Sequence, residues 1–200
     1  MAMVGTRSHP KKLYKNLLIA YTEPHRHYHT LDHIAHSQEQ LEKVKHLVQH
    51  PYEIAAANWF HDAVYSLGAD YPENELNSAN FAFDSLTREG VDNDVCDRIF
   101  DLINATDGRF TPETLDQKFM RDIDYSILGS SPKEYGKYAH AIEKEFVPKM
   151  FSKQDFSVLR SQSFLKKVLA SPEIFLTPEF KKIEPQARMN LQEEYDWLSK

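Results

Sequence analysis

The sequence is poor in residues that cross-link or interrupt a chain, and each scarcity excludes a class of protein. Cys96 is the single cysteine among 200 residues, which excludes an internal disulfide and the small secreted scaffolds built on disulfides. The six glycines form no flexible linker, and no change in composition marks a domain boundary. No apolar run is long enough to cross a bilayer, and the first seven residues lack the apolar stretch of a signal peptide. We therefore expect a cytoplasmic protein of one domain with no membrane partner.

The chain also has no excess of basic over acidic residues, with 24 Lys and Arg against 30 Asp and Glu. The formal net charge is −6 at pH 7, whereas proteins that bind polymeric nucleic acid normally present a basic surface. Binding of DNA or RNA is therefore not expected. A small anion remains a compatible partner, because a bound metal ion and a few basic side chains outweigh the net charge locally. The sequence leaves homo-oligomerisation open.

What the sequence does contain is apolar residues at helical spacing. Hydrophobic residues make up 41% of the chain and recur every three or four positions, as at Val95, Ile99 and Leu102. The alternation typical of strands is scarce. The pattern predicts an all-α fold, an irregular multi-helix bundle, with helices near residues 11–22, 30–48, 51–65, 74–89, 92–105, 113–127, 132–147, 153–169 and 178–198.

Helix-start and helix-stop signals support this assignment. Ser131 and the proline and glutamate that follow it have the order of a capping box. Thr111 and Thr177 each precede a proline in the same way, which predicts helix starts at these two positions. Gly90 suits the left-handed residue that follows a helix.

Histidines are concentrated in one short stretch, since five of the ten lie between residues 25 and 36. If a helix is already under way at His29, then His29 and His33 share one face at i, i+4 spacing. If Thr30 is the N-cap, only His33 lies on the first turn. His33 is the stronger ligand candidate in either case, and His29 is placed to reach a substrate.

Ionisable pairs interrupt two apolar segments further along. His61 and Asp62 end an apolar helical segment, where burying two ionisable groups is costly unless something pairs with them. The alternative is a neutral His61 bonded to a carbonyl, with Asp62 facing water. Asp122 and Asp124 are about 200° apart on a helix, so we expect one to face a site and the other to cap, to pair with Arg121 or to meet solvent. Imidazoles and carboxylates of this kind can hold a hard or borderline divalent cation.

Four short motifs follow one another along the chain: Tyr28–Ile34, Trp59–Tyr65, Asn74–Ala79 and Asp122–Gly129. Together they resemble the HD-domain superfamily of metal-dependent phosphohydrolases, and more specifically a bacterial branch of predicted HD-type phosphohydrolases. The resemblance implies a single HD-type helical domain over residues 1–200, with a core at about 11–147 and a C-terminal helical extension at 150–200. It also implies one divalent metal ion (Mn, Co, Ni, Fe, Zn or Mg), held by the side chains of His33, His61, Asp62 and Asp124.

The expected activity is hydrolysis of a small phosphate ester or anhydride, a nucleotide being the favoured substrate. Asp62 would bind the metal and orient the attacking water. Glu75 would act as general base or acid, unless it only complements the dipole of its helix. Arg26 is a candidate for gripping phosphate in a bidentate fashion, or else an ordinary surface residue, and His29 would donate to the same phosphate.

The chain departs from the family pattern at two positions. Tyr65 stands where nucleotidase-type HD enzymes tend to carry a glutamate. Asp107 stands where the branch carries a histidine, and Arg109 is the nearby group that could take over its role. Histidines for a second metal ion are missing downstream, since only His140 follows His61. These features keep a second hypothesis open, a non-catalytic HD-type helical module that senses a metal or a nucleotide.

Overall fold

The computed structural model of the chain describes residues 10–67, 73–147 and 152–200. Within these ranges all regular structure is helical and no strand occurs, which confirms the predicted all-α fold. None of the helices in the same ranges combines the length and the apolar character that a transmembrane segment needs. The helices are α1 (Pro10–Ala20), α2 (Leu31–Val44), α3 (Pro51–Phe60), α4 (Asn74–Arg88), α5 (Asn93–Asn104), α6 (Leu115–Tyr125), α7 (Pro132–Phe146), α8 (Lys153–Leu159), α9 (Lys166–Ala170), α10 (Pro178–Lys181) and α11 (Glu184–Leu198), with a 3-10 turn at Ser126–Gly129 and a π-helical turn at Arg160–Leu165.

The described residues form two compact units. The first takes in the described parts of Met1–Glu23 and His29–Met120, and the second takes in Pro24–Tyr28 and the described parts of Arg121–Lys200. The first unit therefore holds α1 to α5 and the beginning of α6, and the second holds the end of α6 and α7 to α11. The boundary between the units falls inside α6, and the single domain with a core at about 11–147 and an extension at 150–200 stays a prediction.

Helix α3 contacts three neighbouring helices in the first unit. It packs against α2, α4 and α5, and Ile54, Ala57 and Phe60 are buried, as expected for a helix that is apolar on several sides. His50, the N-cap residue, makes no side-chain cap bond. Asp116 supplies the acceptor instead, because its carboxylate accepts the backbone N–H groups of residues 49 and 50 at 2.8 Å each.

Two helix ends follow the sequence signals closely. Thr30 is the N-cap of α2, and its hydroxyl accepts the N–H of Asp32. His29 therefore lies just outside the helix, and the question left open by the sequence is answered. Gly90 follows α4 with φ +84°, the left-handed conformation that strains other residues.

The two threonine–proline signals behave differently from the prediction. The expected start at Thr111 is wrong: α6 begins at Leu115, because the hydroxyl of Thr114 accepts an N–H of the first turn at 3.2 Å and acts as the cap. Thr177 does precede α10, but it makes no side-chain cap bond. Its hydroxyl donates to Asp122 at 2.6 Å.

A buried ion pair lies within the second unit, between the π-helical turn and α11. Nε of Arg160 is 2.9 Å from Oε1 of Glu194, and the two side chains are 7% and 8% exposed. The Tyr135 hydroxyl donates to the same carboxylate, and Arg160 also donates to the Tyr138 hydroxyl oxygen at 3.0 Å. Burial raises the pKa of both tyrosines, so both stay protonated. The charges are thus buried with partners, as buried charges must be.

Candidate metal centre

Helices α2 and α3 run antiparallel and bring two distant histidines together. Gln38 donates to the carbonyl of Ala55 at 2.8 Å. Five residues earlier on α2, His33 meets His61, which follows the last residue of α3. Nε2 of His33 lies 3.0 Å from Nε2 of His61, and both side chains are buried.

Asp62 completes a group of three donor atoms, which we call the donor group. Its Oδ2 lies 2.9 Å from Nε2 of His61 and 3.3 Å from Nε2 of His33, and its side chain is 13% exposed. Among the described residues, these three side chains form the group whose donor atoms lie close enough together to share a metal ion. Asp62 therefore faces two imidazoles, whereas the alternative predicted from the sequence required it to face water.

Hydrogen bonding fixes the proton on His61. Its Nδ1 lies 2.9 Å from the carbonyl oxygen of Asn58, which can only accept, so Nδ1 carries the proton and Nε2 of the neutral ring keeps its lone pair. That lone pair faces the Asp62 oxygen at 2.9 Å. Two acceptors at this distance repel each other unless a proton or a metal ion lies between them. Metal-binding histidines are commonly held in this way, with the other ring nitrogen donating to a carbonyl.

The three donor atoms are close enough to share one metal ion. With ligand distances of about 2.1 Å, neighbouring donors of an octahedron are about 3.0 Å apart, and those of a tetrahedron about 3.4 Å. The observed separations are 3.0, 2.9 and 3.3 Å, which span this range, so the side chains of His33, His61 and Asp62 suit one ion in either arrangement. Imidazole ligands favour Mn, Fe, Co, Ni or Zn over Mg.

Burial and charge act in opposite directions on Asp62. Burial alone raises the pKa of its carboxyl group, but positive charge on the His61 and His29 imidazoles and hydrogen bonds from His33 and His61 bring that pKa well below its ordinary value. When no metal ion is bound, a proton on Nε2 of His61 supplies this charge and lies between the two acceptors. Asp62 is therefore ionised at neutral pH. An ionised carboxylate is the form that binds a metal ion.

His29 lies at the edge of the donor group. Its ring centroid is 6.0 Å from that of His33 and 4.3 Å from that of Tyr65. The side chain is partly exposed, whereas His33 is buried. His29 is also close enough to Asp62 to lower the pKa of its carboxyl group. The His29 imidazole is therefore accessible to solvent at the edge of the donor group.

The two acids at the end of α6 have different surroundings. The Asp122 carboxylate is fully buried and accepts the N–H of Leu176 at 2.9 Å, the N–H of Thr177 at 2.7 Å and the Thr177 hydroxyl at 2.6 Å. Burial raises the pKa of the Asp122 carboxyl group above its ordinary value, although these hydrogen bonds oppose the shift. Asp122 therefore bonds to the segment that leads into α10, and which of the two acids faces a site stays a prediction. Asp124 is half-buried and lies in the second unit, and its role as the fourth ligand stays a prediction.

Other predicted site residues are not members of the donor group. Glu75 lies half-buried in the first turn of α4 and acts electrostatically on Arg109, whose guanidinium pairs with Asp107 at 2.6 Å. Arg26 is 5% exposed, so the alternative of an ordinary surface residue is wrong. The two N–H groups that follow it, those of residues 27 and 28, donate to the buried Glu145 carboxylate at 2.7 Å each. Catalysis by Glu75 and phosphate binding by Arg26 stay predictions.

Sequence reasoning missed the side chains that hold the segment after His61. Ser78 exchanges two hydrogen bonds with the backbone of Val64, at 3.1 and 3.2 Å. Asn74 exchanges two with the backbone of Ser66, both at 2.9 Å. Both clamping side chains are buried. The available signal was their i, i+4 spacing on α4, within one of the four motifs.

A cavity of about 300 Å³ lies in the second unit, between α7 and α11. Polar groups that line it already interact with protein groups. Tyr135 donates to Glu194, His140 lies 3.8 Å from Glu143, and Asn190 donates to two backbone carbonyls at 2.9 Å. The donor group between α2 and α3 is therefore the stronger candidate for chemistry.

Comparisons with protein-family models, with curated proteins and with solved structures gave no match to this chain. The resemblance to HD-type phosphohydrolases therefore rests on the four sequence motifs, and the donor group rests on its own geometry.

Proposed function

We propose that this protein is a mononuclear metal-dependent phosphohydrolase of the HD type that acts on a small phosphate ester or anhydride, a nucleotide being the favoured substrate. The observation that carries the proposal is the donor group, in which Nε2 of His33, Nε2 of His61 and Oδ2 of Asp62 lie within 3.3 Å of one another. We propose Asp124 as the fourth ligand. The order of the four motifs supports the proposal independently.

A divalent ion held by these residues would neutralise charge on a phosphoryl group and lower the pKa of a water molecule. The protein positions both reactants. The Nδ1–H group of His61 donates a hydrogen bond to the Asn58 carbonyl. The lone pair on Nε2 is then the one that would bind the ion. Asp62 has a second oxygen besides Oδ2, which we assign to orienting the attacking water.

Three further residues complete the proposed mechanism. His29, partly exposed at the edge of the donor group, would donate to a phosphoryl oxygen. Arg26 would bind two phosphate oxygens in a bidentate fashion, and such charge-assisted bonds are the stronger kind. Glu75 would transfer the proton to the leaving group or take it from the water.

The test combines metal binding with turnover. Purified protein is stripped with a chelator, and its affinity for Mn²⁺, Co²⁺, Zn²⁺ and Mg²⁺ is measured by calorimetry. Hydrolysis of nucleoside mono-, di- and triphosphates and of p-nitrophenyl phosphate is then followed with each metal. The same measurements are made on His61→Ala and Asp62→Ala. His46→Ala is the matched control, because His46 is exposed and follows α2.

We expect turnover in the parent and in His46→Ala, and a loss of more than about a hundredfold in the other two variants, since each removes a ligand. Metal binding without turnover on any substrate would favour the non-catalytic sensing module. Turnover that survives both His61→Ala and Asp62→Ala would show that the donor group is not the active site.

A further inference from the structure

Tyr65 lies in a segment that is fixed on both sides, although the segment is neither helix nor strand. The residue before it, Val64, has both its N–H and its carbonyl bonded to the Ser78 hydroxyl. The residue after it, Ser66, has both its N–H and its carbonyl bonded to the Asn74 amide. Four hydrogen bonds from buried side chains of α4 therefore hold the backbone around Tyr65.

The Tyr65 ring packs against the imidazole of His29. The ring centroids are 4.3 Å apart and the ring planes meet at 33°, so the two rings overlap partly face to face. His29 precedes Thr30, the N-cap of α2, and helical geometry therefore does not fix its side chain. The ring of Tyr65, held from α4, supplies a fixed surface for it.

We infer that Tyr65 is a positioning residue, which holds the His29 imidazole at the edge of the donor group. Contact with the tyrosine ring covers part of one face of the imidazole and limits the orientations that the His29 side chain can adopt. Preorganisation of this kind strengthens binding by removing the conformational freedom that binding would otherwise have to remove. The consequence for phosphate binding depends on the proposed function, whereas the position of His29 does not.

The test uses Tyr65→Leu, with Tyr65→Phe as the matched control that keeps the ring and loses only the hydroxyl. NMR spectra of the metal-free proteins report the imidazole C–H resonances, and His29→Gln identifies those of His29 by their disappearance. Calorimetry measures the affinity of the Zn²⁺-loaded proteins for inorganic phosphate. Ser78→Ala, which loosens the clamp without touching either ring, is a second variant in case Tyr65→Leu folds poorly.

We expect Tyr65→Leu to shift the His29 resonances, because the ring current of the tyrosine is lost, and Tyr65→Phe to leave them close to those of the parent. Ser78→Ala should move them in the same direction as Tyr65→Leu. The phosphate dissociation constant should rise about two- to tenfold in Tyr65→Leu, the range given by the loss of one aromatic contact. In a His29→Gln background, Tyr65→Leu should have no further effect on phosphate affinity.

Unshifted His29 resonances in both Tyr65→Leu and Ser78→Ala would overturn the inference. An undiminished effect of Tyr65→Leu in the His29→Gln background would overturn it too, because Tyr65 would then act without His29. Failure of the proposed function has a different signature. In that case no phosphate ester is hydrolysed with any metal, yet the His29 resonances still move in Tyr65→Leu and the inference about position stands.

Discussion

Replacing Asp122 by alanine tests whether the two acids at the end of α6 have separate roles. The Asp122 carboxylate accepts hydrogen bonds from three donors, the N–H groups of Leu176 and Thr177 and the Thr177 hydroxyl, the shortest contacts being 2.9, 2.7 and 2.6 Å. The variant leaves these three buried donors without an acceptor. A buried donor left unsatisfied costs about 1–3 kcal/mol, so the three together cost at least about 3 kcal/mol. We expect a loss of at least this size in the free energy of unfolding, and a melting temperature lower by at least roughly 6 °C.

Asp124→Ala is the matched substitution two positions along. Asp124 is half-buried, and we propose it as a metal ligand. In the metal-free protein we expect Asp124→Ala to lower the free energy of unfolding by less than Asp122→Ala does, because Asp124 is only half-buried. Its metal affinity should fall by more than about tenfold, because one charged ligand is lost.

Urea unfolding in the presence of a chelator, followed by far-ultraviolet circular dichroism, measures the stability of both variants, and an unchanged dependence on denaturant keeps the comparison valid. Calorimetry measures the metal affinity of the folded proteins. A loss of less than about 1 kcal/mol in Asp122→Ala would refute the reasoning, since ordinary surface substitutions change stability by about as much. An unchanged metal affinity in Asp124→Ala would remove this residue from the proposed ligand set.

Three further predictions concern the second unit and the donor group. Glu194→Ala should lower the free energy of unfolding by about 3–5 kcal/mol, because it leaves the buried Arg160 without its ion-pair partner. Glu193→Ala, at an exposed position, should change it by less than about 0.5 kcal/mol. Similar losses for the two variants in urea unfolding would contradict a stabilising role of the buried ion pair. Gly129→Ala places a Cβ 2.7 Å from the Ile183 side chain and should cost about 1–3 kcal/mol. In the control Gly136→Ala the added Cβ meets nothing within 4 Å, and this variant should stabilise its helix by about 0.5–1 kcal/mol. If Gly129→Ala were stabilising as well, the predicted clash with Ile183 would be contradicted. Metal affinity should fall as the pH is lowered, because protons compete with the metal ion for the imidazole nitrogens, and calorimetry should show protons released on binding.

Most helices could be predicted from the sequence because apolar spacing and capping residues are local signals. The predicted helix at 178–198 is interrupted between Lys181 and Glu184, although the cause is visible in the sequence. Pro185 has no N–H to continue a helix from the preceding turn, and it lies in the first turn of α11 instead. The break between α10 and α11 is therefore encoded locally, by this proline.

Contacts between segments that are distant in the sequence could not be predicted from such local signals. Asp116 accepts the backbone N–H groups at the start of α3 from a different helix, and no local pattern in the sequence predicts this contact. Glu145 accepts hydrogen bonds from two backbone N–H groups more than 100 residues away in the sequence, and no motif around Glu145 predicts them. Such side chains lie on ordinary amphipathic helices, and only the packing of the helices shows which backbone groups they reach.

His61 and Asp62 are neighbours at the end of α3, and their side chains still reach one point. Inside a helix, successive side chains diverge by about 100°, so two neighbours meet only when their side-chain torsions bring the ends together. The sequence predicted that α3 continues to about residue 65, but it ends at Phe60, because the backbone of residues 64 and 66 bonds to side chains of α4 and not to a further helical turn. His61 itself keeps helical backbone angles, φ −58° and ψ −32°, and Oδ2 of the next residue, Asp62, comes within 2.9 Å of its Nε2. The antiparallel register of α2 and α3 adds His33 from 28 residues away. The donor group therefore depends on the packing of α2 against the end of α3 as much as on which residues the helices carry.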